Sequence, residues 1–553
     1  MSAYDAIAIV LGAILFRPVG ALVHGHAGLP LLFHDTSDIY GQRLAARLSR
    51  LDRYLGSRWV LPLSIMGALL MGSRFTGWQA VDASSCVYPI ILLISGLMTW
   101  KAVTLDIDLA SAEPLAGPRL LMLSAAVLTA FHPAGVVAVL FIGINYLRSW
   151  YHHQHIPIRA LIMFLAVLAG EIALRMLDRY LGLPGFALTS AAPLLALLCM
   201  IASHYVTAGV AKARLGPRPW SWIRRNRLHY LVVSAYLWGW LRKRPERQVI
   251  SLASRIARLN IPVQAFVVVL ELSGIGVGFH RWWAVAFFTG AALFHAGVFV
   301  LSGILFWQLG ATCALLAITL ATLPPAIADA WFGALPGLLV AGLIALFPLR
   351  GLGWKPQGLA WWDSPYIARI QWRVVGASGT VFALRNDFMC PNERLYGKGD
   401  FRGEPVLNGH LGETFDLDLR DRLVASRGNR EILDRLKKCY SRSSRLGPEQ
   451  LKALDDYQAR FLAGFNAGLR KRVCPRWLKA PGGLYFYWSP EPEFRGQERV
   501  TRLLVVQTEE IFDGESIIVL RDEVLREIAL AGGLAHSPAE PVRLDRCVGT
   551  RVE

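Results

Sequence analysis

The chain has little charge, and it is poorest in negative charge where it is most apolar. Of its 553 residues, 18% are charged and 54% hydrophobic, against about 25% and roughly 45–50% in a soluble globular chain. Residues 1–350 hold 13 of the 40 acidic residues but 27 of the 58 basic ones, so this stretch carries +14 of the net +18. Such an excess normally sits in loops that face the cytoplasm and anionic lipid headgroups. A nucleic-acid partner is set aside, because the basic residues fall between apolar runs and no recognition motif accompanies them. No C-x-x-C pair occurs among the seven cysteines, which removes support for a zinc or dithiol site and suits a reduced C-terminal region facing the cytoplasm. There is no low-complexity tract and no internal repeat of the kind inverted-repeat transporters carry. There is also no cleavable-signal pattern; the first apolar run starts at once after Asp5 and reads as a span.

Long apolar runs are what the first part does contain. A bilayer core of about 30 Å needs roughly 20 apolar residues per helix. Runs of that length lie near 6–24, 59–78, 86–104, 119–146, 157–177, 187–210, 261–280, 282–323 and 331–349. The run 282–323 suffices for two spans, or for one broken at Gly303 or Gly310. These lengths predict an α-helical multi-pass membrane bundle of about nine to eleven spans over 1–350. The segment 229–241 is too short to cross, and its Tyr230, Tyr236, Trp238 and Trp240 suit the interface. Two loops, 41–58 and 212–258, are strongly basic; the second holds twelve Lys or Arg against Glu246 alone. Both should face the cytoplasm, yet five predicted spans separate them. Either one element is miscounted or 41–58 is an amphipathic surface helix, which the leucines at 44, 48, 51 and 55 favour; the orientation is left open.

After Arg350 the texture changes. Gly351, Gly353, Pro356 and Gly358 mark a linker, and 351–553 reads as a soluble α+β region outside the bilayer. Two β-branched and aromatic runs flank Gly-Ala-Ser-Gly within 366–388, predicting a hairpin. Residues 413–440 and 446–472 read as helical, and 483–488, 500–508 and 516–520 as strands.

The candidates for chemistry are ionisable residues set in or beside the apolar runs: His132, His152, His153, His155, His204, His295, Glu171, Glu271, Asp329 and Lys212. Such groups are costly in hydrocarbon, so they face a bundle interior and are functional candidates by default. The alternative for any one of them is a helix–helix hydrogen bond. His152 and His155 would share a helix face, fit to relay protons or to bind a metal. No further ligand follows at a metal-motif spacing, and no metal is assigned. In the run from His204 and Tyr205 to Lys212, a helix ends in Ala208-Gly209 and then a lysine. Gly209 admits a neighbouring backbone. Partial desolvation there disfavours the ammonium, and a neutral amine is a usable general base. Otherwise Lys212 snorkels to lipid phosphates and opens the basic loop.

The stretch from Tyr205 through Ala-Gly-Val-Ala to Lys212 resembles the Y-x-x-A-G-[LV]-x-K motif of the vitamin K-dependent γ-carboxylase-like family, also called the horizontally transferred transmembrane domain. Residues 294–307, FHAGVFVLSGILFW, are similar to that family's late histidine-containing span, and Gly72 and Arg74 to its early G-x-R pattern. The resemblance covers roughly 1–350. It implies that Lys212 stands where the family's catalytic base stands, with Ala211 replacing a preceding lysine. It places one of His152, His153 or His155 at the family's loop histidine. The implied reactants are a reduced quinone, O₂ and CO₂, with no metal. No propeptide-binding region is recognisable in 351–553, so carboxylation of protein glutamate is not implied.

The expectation is therefore a membrane enzyme acting on an apolar small molecule or a peptide, within a cavity in the bundle. Lys212 would be the base, assisted by His152, His155 or His295, with His204, Tyr205, Glu171 and Glu271 binding substrate. A terpene or polyprenyl cyclase of the same superfamily would instead use Glu171, Glu271 or a protonated histidine as acid. A transporter would line a path with the same charges, and a membrane anchor would need only 351–553.

Overall fold

The computed structural model describes residues 3–24, 66–67, 70–71, 87–104, 116–145, 155–182, 191–241, 244–350, 364–384, 417–440, 448–468, 477–481 and 491–530. The runs 41–58 and 483–488, nearly all of 59–78, and residues His152, His153, Gly72 and Arg74 lie outside them. Up to Arg350 the described chain is almost wholly helical: α1 (Ala3–His24), α2 (Tyr88–Val103), α3 (Ala116–Phe131), α4 (Gly135–Asn145), α5 (His155–Leu181), α6 (Ala191–Ala213), α7 (Ser221–Arg225), α8 (His229–Leu237), α9 (Glu246–Arg258), α10 (Asn260–Ser273), α11 (Arg281–Ser302), α12 (Trp307–Ala321), α13 (Pro325–Trp331) and α14 (Ala334–Arg350). Among the described residues, four helical segments are long and apolar enough to cross a bilayer: Ala3–Gly20, Ile156–Leu181, Ala192–Ala213 and Arg281–Ser302. Two bent pairs, α9–α10 at 65° and α12–α13 at 112°, raise the number to six if each pair is one span.

Two apolar runs fold differently from their sequence reading, and a third, 282–323, breaks at a place that reading allowed. The run 119–146 is not one helix but two, of 16 and 11 residues. Pro133 lacks an N–H and cannot continue the ladder. The Ala134 amide donates instead to His132 Nδ1 at 3.0 Å. Gly135 is needed at the corner, because a Cβ there would stand 2.6 Å from the Thr129 nitrogen. The run 282–323 breaks at Gly303, which takes φ +68° and caps α11 by donating to the Phe299 carbonyl at 2.7 Å. In 229–241, Tyr230, Tyr236 and Trp238 are buried against protein rather than set in an interface. They share a cluster with Val249 and Ala253 of α9 and with Ile367 and Phe512 of the C-terminal region.

That region contains an antiparallel four-stranded sheet of order β2-β1-β3-β4. Its strands are β1 (Tyr366–Gly376), β2 (Val381–Leu384), β3 (Val500–Phe512) and β4 (Ile517–Ala529), with helices α15 (Leu417–Ser426), α16 (Arg430–Tyr440) and α17 (Pro448–Asn466). The β1–β2 hairpin turns through Gly379 at φ +83°. The segment 413–440 divides at Arg427 and Gly428, both with positive φ. β4 runs well past its predicted end at 520, because pairing with β3 outweighs the charges of 521–527, which point largely to water. Strand alternation sorts the two faces of β1. Tyr366, Ala368, Ile370 and Trp372 join Leu419, Leu433 and Phe461 of the helices in one core, whereas Ile367 turns to α8.

The C-terminal region is held to the bundle at several polar points. Lys101 Nζ and Trp307 Nε1 donate to the Pro481 carbonyl at 3.0 and 3.1 Å, and Trp100 Nε1 donates to that of Leu478 at 2.8 Å. Arg420 of α15, 1% exposed, hydrogen-bonds Asn226 Oδ1. Arg225 forms ion pairs with Asp418 and Asp421.

Candidate functional site

The site grows from one face of α6. Tyr205 and Lys212 are seven residues apart, two helical turns or about 10 Å, and both are buried. Gly209 lies between them; a Cβ there would come within 3.0 Å of Leu272 and 3.2 Å of the Glu271 side chain. Glycine therefore lets α10 approach closely enough for Glu271, itself 4% exposed, to reach Lys212. Lys212 Nζ and Glu271 Oε1 form a buried ion pair. The indole of Trp222, on α7, covers the same ammonium with its ring centroid 4.9 Å from Nζ. Trp222 packs in turn with Val268 of α10 and Leu417 of α15, so the C-terminal region closes over this end of the site.

One level along the helix, Tyr205 Oη lies 2.7 Å from His295 Nε2 of α11 and 3.2 Å from Cys313 Sγ of α12. The imidazole tautomer sets which of the first two groups donates. Phe287 stands edge-on to Tyr205 at 5.4 Å, and Phe306 stands against His295 at 5.5 Å. In this cluster Glu271 Oε2 and His295 Nδ1 lack a hydrogen-bond partner among the described residues. Native structures leave few buried polar atoms in that condition, and each calls for an explanation.

The structure brings together Lys212, Tyr205, Glu271 and His295. It does not bring Glu171, whose charged neighbours are Arg175 on α5 and Asp5 on α1. His204 is adjacent in sequence, and its charged neighbour is Arg159 of α5. His155 opens α5, with its side chain outside the described residues, as is all of His152. Trp222 and Cys313 were not among the sequence candidates. Cys313 could have been found as a polarisable group inside an apolar run; nothing local marks Trp222, which lies in the basic loop.

An ion pair this deep can exist as ammonium–carboxylate or as amine–carboxylic acid, so it can pass a proton to or from a third group. The Tyr205–His295 contact offers a second proton-sharing pair nearby, and aromatic rings pack against both pairs. Among the described residues, no three His, Cys, Asp or Glu side chains converge as a metal-ligand set. No family model, curated protein or solved structure matches this chain.

Proposed function

We propose that the protein is a multi-pass membrane enzyme that moves a proton to or from an apolar substrate, with Lys212 as general base and Glu271 as its proton partner. The observation that carries this reading is the convergence of Lys212, Glu271, Tyr205 and His295 from three helices into one buried cluster with unsatisfied polar atoms. In the step envisaged, Glu271 takes the ammonium proton and the freed amine takes one from a substrate O–H. The pair ends one proton richer and the substrate one poorer. Tyr205 and His295 stabilise the resulting oxyanion or relay the proton onward. The resemblance to the γ-carboxylase-like family makes a reduced, vitamin K-like quinone the first substrate class, with O₂ and CO₂ as co-reactants and an apolar molecule or peptide as acceptor.

The bilayer is the partner that the surface favours. Leu120, Val127 and Phe131 of α3, Phe266 and Val269 of α10, and Leu293 and Val300 of α11 are all more than half exposed. A soluble monomer seldom shows so many large apolar side chains in helical stripes. With the apolar runs outside the described residues, a total of nine to eleven spans and a place in the cell membrane belong to the same reading. The cyclase alternative draws on Glu171, buried and with Oε1 lacking a hydrogen-bond partner among the described residues.

The test is oxidation of vitamin K hydroquinone by the full-length protein in lipid nanodiscs, under O₂ and labelled bicarbonate. Lys212→Ala should abolish turnover. Lys212→Arg should do the same while keeping the protein folded, because guanidinium preserves the charge beside Glu271 but gives up no proton in this pH range. Near-wild-type turnover in Lys212→Arg would reject Lys212 as base.

A further inference from the structure

Helix α9 is a polar helix with an apolar side, and it runs at 65° to α10. Its sequence, ERQVISLASRIAR, places Val249 and Ala253 inward, fully buried, with Ile250 and Ile256 half-buried against the same cluster. The opposite face is open. There a recess of about 480 Å³ is lined by Pro245, Arg247, Gln248, Ser251, Leu252 and Arg255. The lining holds two guanidiniums, a hydroxyl, an amide and one leucine, and no carboxylate. Arg247 and Arg255 form no ion pair among the described residues, whereas Glu246 beside them accepts from the Ile517 amide at 3.3 Å and so faces the C-terminal region.

The position of the recess gives it meaning. Directly after the bend, the outer side of α10 becomes a stripe of exposed apolar residues: Leu259 at 56%, Ile261 at 57%, Phe266 at 59% and Val269 at 65%. If that stripe faces hydrocarbon, the bend marks where hydrocarbon ends, and α9 lies along the headgroup layer with its arginines at phosphate level. Arginine presents planar, paired N–H donors that match phosphate oxygens. Leu252, 39% exposed at the rim, offers contact for the first carbons of an acyl chain.

We propose that the α9 recess binds the headgroup of an anionic phospholipid, held by Arg247 and Arg255 with Ser251 and Gln248 completing its hydrogen bonds. The inference rests on the bilayer reading above and on nothing at Lys212. It makes the helix a lipid-specific seat for the strongly basic loop, fixing the depth and tilt of α10 and therefore of Glu271.

The test uses the full-length protein in neutral detergent, with dioleoyl-phosphatidylglycerol or dioleoyl-phosphatidylcholine added, and counts retained lipid by native mass spectrometry. Phosphatidylglycerol should be retained selectively. The variant R247Q/R255Q should bind it roughly 30-fold more weakly, since each basic residue contributes about 1 kcal/mol at an anionic surface. R214Q/R218Q, exposed in the same basic loop but outside the recess, should bind as the wild type does. Equal loss in both variants would reduce the effect to net charge and overturn the site. Competition by inorganic phosphate at the lipid's concentration would also overturn it, in favour of a free-anion site. Carbonate extraction of the wild type and of R247Q/R255Q separates the two readings: a variant still retained in the membrane but without lipid selectivity supports the recess, and recovery of wild-type protein in the supernatant rejects the bilayer reading on which it rests.

Discussion

Two buried glutamates, one in each part of the molecule, are satisfied to different degrees. In the sheet, Glu509 is 1% exposed and both its oxygens are satisfied: Gln507 Nε2 donates to Oε1 at 3.0 Å, and Tyr366 Oη and Lys437 Nζ donate to Oε2 at 3.0 and 2.7 Å. Its neighbour Glu510 receives Arg369, which also donates to Thr508 Oγ1 at 2.9 Å. In the bundle, Glu271 has one oxygen on Lys212 and the other without a partner among the described residues. A saturated network holds a structure in place; an unsaturated one keeps a lone pair for something else. Desolvating an ion pair costs enough that apolar replacements are often as stable, and the proposed proton transfer would give the incompletely paired Glu271 a use that folding does not.

Glu271→Gln is the sharpest way to press this contrast. It removes the carboxylate that Glu271 sets against the buried Lys212 ammonium, and a loss of about 3–5 kcal/mol is expected, measured as the unfolding midpoint in detergent, together with loss of turnover. Glu509→Gln should cost less, about 1–3 kcal/mol, because Lys437 is 23% exposed and water can reach it; quinol turnover should stay at the wild-type level. An equal loss of activity in both variants would erase the distinction.

Tyr205→Phe should follow at roughly 1–2 kcal/mol, the cost of leaving His295 Nε2 unmatched in a buried site. If Tyr205 relays a proton, this variant slows turnover far more than it raises KM; if it only packs, neither changes. The smallest effect is expected at the seam between the two parts. Arg225, by hydrogen bonding and then by charge, holds the Asp418 carboxyl below its usual value. A carboxyl depressed in the folded state stabilises at pH above its unfolded value of about 3.9 and loses that contribution as pH falls through the lower folded value. The pair is exposed, so acid should loosen α15 from the loop only slightly, seen as increased amide exchange at 417–426 and absent in Arg225→Gln.

Some of this arrangement was legible in the sequence and some was not. The apolar runs announced the helices, and Gly-Ala-Ser-Gly announced the β1–β2 turn, because hydrophobic period and turn residues are local. Pro133 was equally local but was masked by the uniform apolarity around it. Lys212, Glu271 and His295 each stood out as polar groups in apolar surroundings, and Tyr205 stood out in the stretch that ends at Lys212. Their convergence did not, since Glu271 lies 59 residues from Lys212 and His295 lies 90 from Tyr205. Gly209 was the one hint, a place where another helix could come close, without saying which. Trp222 and Leu417 reach the site from a basic loop and from the C-terminal region, where no periodicity points to the membrane.

The most direct test of the central claim replaces the whole pair. In K212M/E271L both charges leave together, so the folding cost of an orphaned partner disappears. The account predicts a protein with an unfolding midpoint equal to or above that of the wild type and no oxidation of vitamin K hydroquinone under conditions where the wild type turns over. A double variant that oxidises the quinol as fast as the wild type, or a wild type that leaves it untouched, would contradict it.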